Sequence, residues 1–321
     1  MTKIAVLGGG AWGTAIANLL AENKNDILLW AREKEVEESI NNKNINSLFL
    51  PENKLSKHLK ATSELQDIKN KDYYFLVIPS KFTENILQEI NNLKLINKDA
   101  VFVICSKGID NVNLRLISDI IKDIYPENKI GVMSGPNFAK EVAANKKVLT
   151  TICAEDKNIR NKINGFVSNN NFKTILANDI ISAQLCGALK NVAAIGMGIA
   201  VGLNYSESSK AAILTKLILE MQEIIEIYGG KKEVILMPCG IGDLILTSMS
   251  KMSRNMSLGF EIAQGEDIND ILSSKKSIAE GYSTAKAVYE ISKKNNLELE
   301  IMTEIYEILY KNRKVQKGVF F

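Results

Sequence analysis

An apolar run, Lys3-Ile-Ala-Val-Leu7, stops at Gly8-Gly-Gly10-Ala11-Trp12-Gly13 and resumes as Thr14-Ala-Ile-Ala17. The glycines stand in G-x-G-x-x-G spacing between a strand pattern and a helix pattern. That context gives the spacing its meaning, because glycines cluster in many unrelated turns. In a βαβ unit Gly8 permits the tight turn. Gly10 lets a dinucleotide pyrophosphate approach the backbone, and Gly13 lets the helix pack on the strand. The helix N-terminus then offers free N–H groups and a positive dipole end to the phosphates.

The rest of the first half supports such a unit. Apolar runs at Lys3–Leu7, Ile27–Trp30, Tyr73–Ile78, Val101–Cys105, Ile130–Ser134 and Val148–Cys153 predict strands. Helical patterns lie between them, near Trp12–Glu22, Glu33–Asn41, Phe82–Leu93, Leu114–Ile124 and Lys157–Ser168. Continuous apolar strands joined by helices imply a largely parallel sheet covered on both faces. After Asp179 the pattern turns helical, over Ile180–Leu203, Lys210–Tyr228, Ser283–Lys294 and Leu297–Lys311. The expected architecture is an α/β, Rossmann-type dinucleotide-binding domain over 1–179 and an all-α domain over 180–321.

Composition removes several function classes. The net charge is only +3 over 321 residues, with no dense basic tract, so nucleic acid is not an expected partner. Cys105, Cys153, Cys186 and Cys239 are far apart and form no cluster with histidine, which argues against a structural zinc site. Their apolar neighbours suit buried free thiols in a reducing cytoplasm. Because Met1-Thr-Lys-Ile runs straight into a strand pattern, no signal peptide is expected. The single histidine, His58, lies in a polar stretch and reads as surface. Proton chemistry therefore falls to Lys, Asp, Glu, Cys or Tyr.

Lys190 stands out for that role. It is the only charged residue between Asp179 and Glu207, within a run of apolar and small residues. Burying an ammonium without a partner is costly or forces its pKa down. A membrane span fits the length of the run, but a central lysine costs about 2.5–3.5 kcal/mol there. The glycine content also suits tight packing in a soluble core, so stable membrane insertion is not expected. A helix-edge lysine reaching water is the plain alternative.

The second strand bears on the cofactor. NAD-specific sites usually end it with an acid for the ribose 2′-hydroxyl. Here the strand ends Leu29-Trp30-Ala31-Arg32, with Trp30 in the acid's place. A guanidinium suits a 2′-phosphate, so NADPH is expected to be preferred over NADH. Further glycine-containing segments carry polar groups: Cys105-Ser-Lys107-Gly108, Ser134-Gly135-Pro-Asn137-Phe-Ala139, Gly240-Ile-Gly-Asp243, and Ile278-Ala-Glu280-Gly281. Ser253-Arg254-Asn255 adds a forked cation suited to phosphate. Singly, each also reads as an ordinary turn, ion pair or helix-end charge.

Taken in order, these motifs resemble the bacterial type of NAD(P)-dependent glycerol-3-phosphate dehydrogenase. Leu48-Phe-Leu-Pro51 and Cys186-Gly-Ala-Leu-Lys190-Asn-Val192 extend the likeness over nearly the whole chain. The resemblance implies a 6-phosphogluconate-dehydrogenase-like helical domain and reversible reduction of dihydroxyacetone phosphate to sn-glycerol 3-phosphate. It implies a cytoplasmic homodimer supplying glycerophospholipid synthesis. Lys190 would be the general acid/base. Lys107, Gly135, Asn137, Lys190, Asp243, Ser253, Arg254 and Asn255 would meet substrate. Gly8, Gly10, Ala11, Trp12, Gly13, Arg32, Lys107, Ala139, Arg254, Ile278 and Glu280 would meet NADPH or NADH. Two positions depart from the family pattern. Ala11 replaces a common serine and so loses a hydroxyl contact. Asn137 replaces a serine or threonine with an amide that still donates and accepts.

Two other readings share these features. One is a related dehydrogenase acting on a β-hydroxyacid or ketopantoate. The other is a non-catalytic NADPH sensor, which would need the glycine loop but not Lys190.

Overall fold

The computed structural model describes residues 2–110, 112–250, 252–274 and 279–321. The chain divides into two compact units. One comprises Met1–Lys107 with Ile117–Ile180, the other Gly108–Leu116 with Ile181–Phe321.

The first unit is built on one sheet. Its strands are β1 (Lys3–Leu7), β2 (Asp26–Trp30), β3 (Lys60–Thr62), β4 (Tyr73–Leu76), β5 (Val101–Ile104), β6 (Lys129–Ser134), β7 (Val148–Ala154) and β8 (Phe172–Ala177). Their spatial order is β3-β2-β1-β4-β5-β6-β7-β8. Every neighbouring pair is parallel except β6 with β7. The central strands read apolar throughout because helices cover both faces; β4 and β5 are buried at every residue. The connecting helices are α1 (Ala11–Glu22), α2 (Lys34–Lys43), α3 (Ser80–Asn92), α4 (Ile117–Ile124), α5 (Ala139–Ala143) and α6 (Lys157–Val167). Strand order reverses between β1 and β4, and ligands bind at the carboxyl ends of strands flanking such a switch point.

Two local expectations change here. The helix expected from Leu114 starts at Ile117, because Leu114 takes a left-handed backbone, φ 56°, that interrupts it. The segment after β6, read as a strand end followed by a turn, winds into α5 from Ala139.

The second unit is helical among its described residues. It comprises α7 (Ile180–Gly202, whose first residue falls in the first unit), α8 (Glu207–Ile227), α9 (Asp243–Met249), α10 (Arg254–Ala263), α11 (Ile268–Ser274), α12 (Glu280–Asn295) and α13 (Glu300–Lys311). α9, α10 and α11 add to the four helices legible in the sequence. Although α7 is long and apolar enough to cross a membrane, 94% of its most apolar stretch is buried in protein. Gly108–Leu116 joins this unit through buried Ile109 and Leu116, and the Tyr228 hydroxyl donates to the Leu114 carbonyl at 2.8 Å.

Candidate active site

In the first unit, Gly8 has φ +123°, a backbone that side chains rarely adopt. It turns the chain from β1 into α1. Gly10 is the N-cap of α1, with no side-chain cap and no acid in the first turn. A Cβ built on Gly10 would meet nothing within 4 Å, so open space lies beside this helix end. A cavity of about 420 Å³ runs past Gly8–Gly10, Arg32 and Glu33 to Val77–Pro79 at the end of β4. Phe49 and Phe82 form apolar walls, and the sequence reading assigned neither a role. An uncapped helix end, a glycine with open space where a side chain would project and an apolar slot at the switch point fit the pyrophosphate and adenosine of a dinucleotide.

Trp30 is buried, and its indole N–H donates to the Ser63 carbonyl at 3.2 Å. No carboxylate therefore ends β2. Arg32 reaches the cavity with its side chain 74% exposed, 3.4 Å from the Glu33 carboxylate. Ala11 is the first residue of α1, and Gly13 packs against the Gly8 backbone. The Trp12 indole donates to the Cys105 carbonyl at 3.3 Å, tying α1 to the end of β5. Lys107 follows β5 and donates to the Gly135 carbonyl at 3.5 Å. Gly135 lies so close to β7 that a Cβ would fall 2.8 Å from the Thr150 Cα. The Asn137 amide donates to the Leu149 carbonyl at 3.4 Å, while its own oxygen is buried without a partner. Ala139 opens α5.

In the second unit, α7 carries Lys190 with only 5% exposure. Its ammonium lies 2.5 Å from the Asp243 carboxylate and 2.8 Å from the Thr247 hydroxyl. Asp243 begins α9 and Thr247 lies one turn on, so one helix face presents both. Thr247 also donates to the Asp243 carbonyl at 2.6 Å. Sequence reasoning missed Thr247, since a threonine in Leu244-Ile-Leu-Thr247 carries no local signal.

The Ser253-Arg254-Asn255 triplet opens α10. The Ser253 hydroxyl caps that helix, accepting the Met256 N–H at 3.3 Å. The Asn255 amide donates to the Asn191 side-chain oxygen and accepts the Gly281 N–H, each at 2.9 Å. It thus joins α7, α10 and α12, with one amide hydrogen beyond these bonds. Arg254 is the exposed member of the triplet. Glu280 begins α12, and Ile278 lies outside the described residues.

The model of the NAD-dependent glycerol-3-phosphate dehydrogenase N-terminus matches residues 3–160, and that of its C-terminus matches residues 179–319. The chain belongs to this family. A Staphylococcus aureus glycerol-3-phosphate dehydrogenase [NAD(P)+] is 35% identical over 99% of this chain and 97% of its own. The crystal structure of the Coxiella burnetii glycerol-3-phosphate dehydrogenase superposes with TM-score 0.93 at 27% identity, covering 99% and 97% of the two chains. A Ralstonia eutropha ketopantoate reductase reaches TM-score 0.64 at 13% identity over 96% of this chain and 97% of its own, a likeness of fold alone. The dehydrogenase family accounts for both halves of the chain.

Proposed function

We propose that this chain reversibly reduces dihydroxyacetone phosphate to sn-glycerol 3-phosphate, with NADPH preferred over NADH. The observation that carries the chemistry is the buried Lys190–Asp243–Thr247 cluster. When bound, the nicotinamide would supply the hydride for the carbonyl carbon. Negative charge then grows on the carbonyl oxygen, and a fixed proton donor there lowers the barrier. Lys190 gives that oxygen its proton and takes it back in the reverse direction. Asp243 and Thr247 hold the ammonium in one orientation, so little reorganisation accompanies proton transfer.

Arg254 binds the substrate phosphate through its planar fork, with Asn255 and Ser253 beside it in sequence. Lys107, Gly135 and Asn137 complete the substrate contacts. Gly8, Gly10, Ala11, Trp12, Gly13, Ala139, Ile278 and Glu280 hold the cofactor, as do Arg32, Lys107 and Arg254. Family likeness supports these roles. Trp30 in the acid's place and Arg32 on the cavity support the NADPH preference. A cytoplasmic homodimer feeding glycerophospholipid synthesis, neither inserted in a membrane nor bound to nucleic acid, belongs to the same proposal. Four buried cysteines outside any disulfide fit a reducing compartment, and α7 serves as a core helix.

The test follows nicotinamide absorbance with purified protein, dihydroxyacetone phosphate and each cofactor. Rapid NADPH oxidation is expected, with kcat/KM higher than for NADH and little turnover of ketopantoate or other keto acids lacking phosphate. A strong NADH preference would remove the role given to Arg32. Cofactor binding without turnover would favour a sensor.

A further inference from the structure

Asn46 lies in the connection between α2 and β3, and it is fully buried. Its side-chain amide donates both hydrogens, to the Gly9 carbonyl at 2.8 Å and to the Thr14 hydroxyl at 2.8 Å. The Thr14 hydroxyl donates in turn to the Gly9 carbonyl at 3.2 Å. At its other end, the Asn46 Oδ1 accepts the Phe49 N–H at 3.1 Å. One side chain thus joins the glycine loop, the first turn of α1 and the turn that carries Phe49. Phe49 and Gly8–Gly10 line the same cavity.

Peptide geometry turns this anchor into an aim. In a trans peptide the carbonyl and the following N–H point in opposite directions. Holding the Gly9 carbonyl on Asn46 therefore sends the Gly10 N–H away from the buried amide. The space beside Gly10 is open, as the absence of any atom within 4 Å of a built Cβ shows. We propose that Asn46 is a positioning residue for the dinucleotide. It orients the Gly9–Gly10 peptide so that the Gly10 N–H meets the pyrophosphate, and it fixes the turn bearing Phe49 at the cavity wall. The proposal rests on the cavity being the NAD(P)H site. The residue type follows from the chemistry, because only a neutral amide of this length offers two donors and an acceptor here. An ionised aspartate has the same shape but no donor for the Gly9 carbonyl.

The experiment titrates NADPH and ADP-ribose into the wild type, Asn46→Asp and Asn46→Ala, with steady-state kinetics on each. ADP-ribose retains the pyrophosphate and lacks the nicotinamide. Both dissociation constants should rise about tenfold or more, as expected when a buried hydrogen-bonded group loses its partner. At saturating NADPH, kcat and the KM for dihydroxyacetone phosphate should stay near wild type. A wild-type Kd in Asn46→Asp overturns the proposal, as does a fall in kcat without a change in Kd. Should the Asn46 variants not fold, Thr14 decides: Thr14→Val should raise the Kd and Thr14→Ser should restore it. Equal constants in those two variants overturn the proposal. Wild-type protein that binds no NADPH would instead remove the functional reading of the cavity.

Discussion

Lys190 and Asp243 show why a buried charge is informative only with its partner. Either side chain alone would be an uncompensated ion in an apolar helix core; together they form a pair whose side chains are 7% and 1% exposed. Lys190→Ala removes the proton donor and should lower kcat by roughly a hundred- to ten-thousandfold, with NADPH affinity retained. Thr247→Val removes one bond to the ammonium and leaves its charge. Its kcat should fall less than that of Lys190→Ala, with little change in the KM for dihydroxyacetone phosphate. Steady-state kinetics and NADPH titration on both variants check the order, and full activity in Lys190→Ala would exclude it from proton transfer. Lys190 was legible as a lone charge in an apolar run. Thr247 was not, because its meaning comes from an ammonium 57 positions away.

Helix α7 holds Lys190 in place by packing unusually close to α10. A Cβ on Gly198 would lie 2.1 Å from the Met256 carbonyl oxygen, and one on Gly259 would lie 2.0 Å from the Ile195 carbonyl oxygen. The two backbones meet through glycine from each side. Gly198→Ala forces them apart and should destabilise the second unit by about 1–3 kcal/mol, the usual cost of overpacking. Denaturant unfolding measures this, and a variant as stable as wild type would show that α7 and α10 separate easily. Elements differed in how visible they were. β1, β4 and β5 announced themselves as unbroken apolar runs. β3 has three residues, and edge strand β8 buries only its end residues Phe172 and Ala177, so neither carries a strong local signal. The start of α10 was hidden because Ser253 and Asn255 read first as binding groups. The structure shows the Ser253 hydroxyl capping the helix and the Asn255 amide bridging three helices.

The pH response belongs to the whole molecule, since ionisable groups in the two units pull in opposite directions. In the first unit Asp156 caps α6 and pairs with Lys129 at 2.5 Å. The hydrogen bond from Lys129 comes first among the causes that bring its pKa down to about 2. A depressed folded pKa adds stability that is complete above the ordinary value near 3.8 and is lost as pH falls through about 2. In the second unit Glu220 accepts the Ile301 and Met302 N–H groups at the start of α13, yet burial raises its pKa. Its contribution is complete below the ordinary 4.5 and is lost as pH rises through the raised value. Asparagine can still cap α6, so Asp156→Asn isolates the charge. Its melting temperature should fall below wild type at neutral pH, and the gap should close as pH approaches 2. Thermal melts across that range check the sign, and a gap that widens with acid would reverse it.

By itself the sequence determined the glycine turn, the apolar strands, the helical second half and the lone lysine. Each is a local pattern, set by spacing within a strand or a few helical turns. Tertiary structure alone decided which polar groups meet. Lys190 finds Asp243 across 53 positions, Asn46 finds Gly9 across 37, and Glu220 finds Ile301 across 81. It also decided that Gly108–Leu116 leaves the first unit to pack Ile109 and Leu116 into the core of the second. Such meetings depend on how distant elements pack to satisfy buried donors, acceptors and charges, and no local period encodes that.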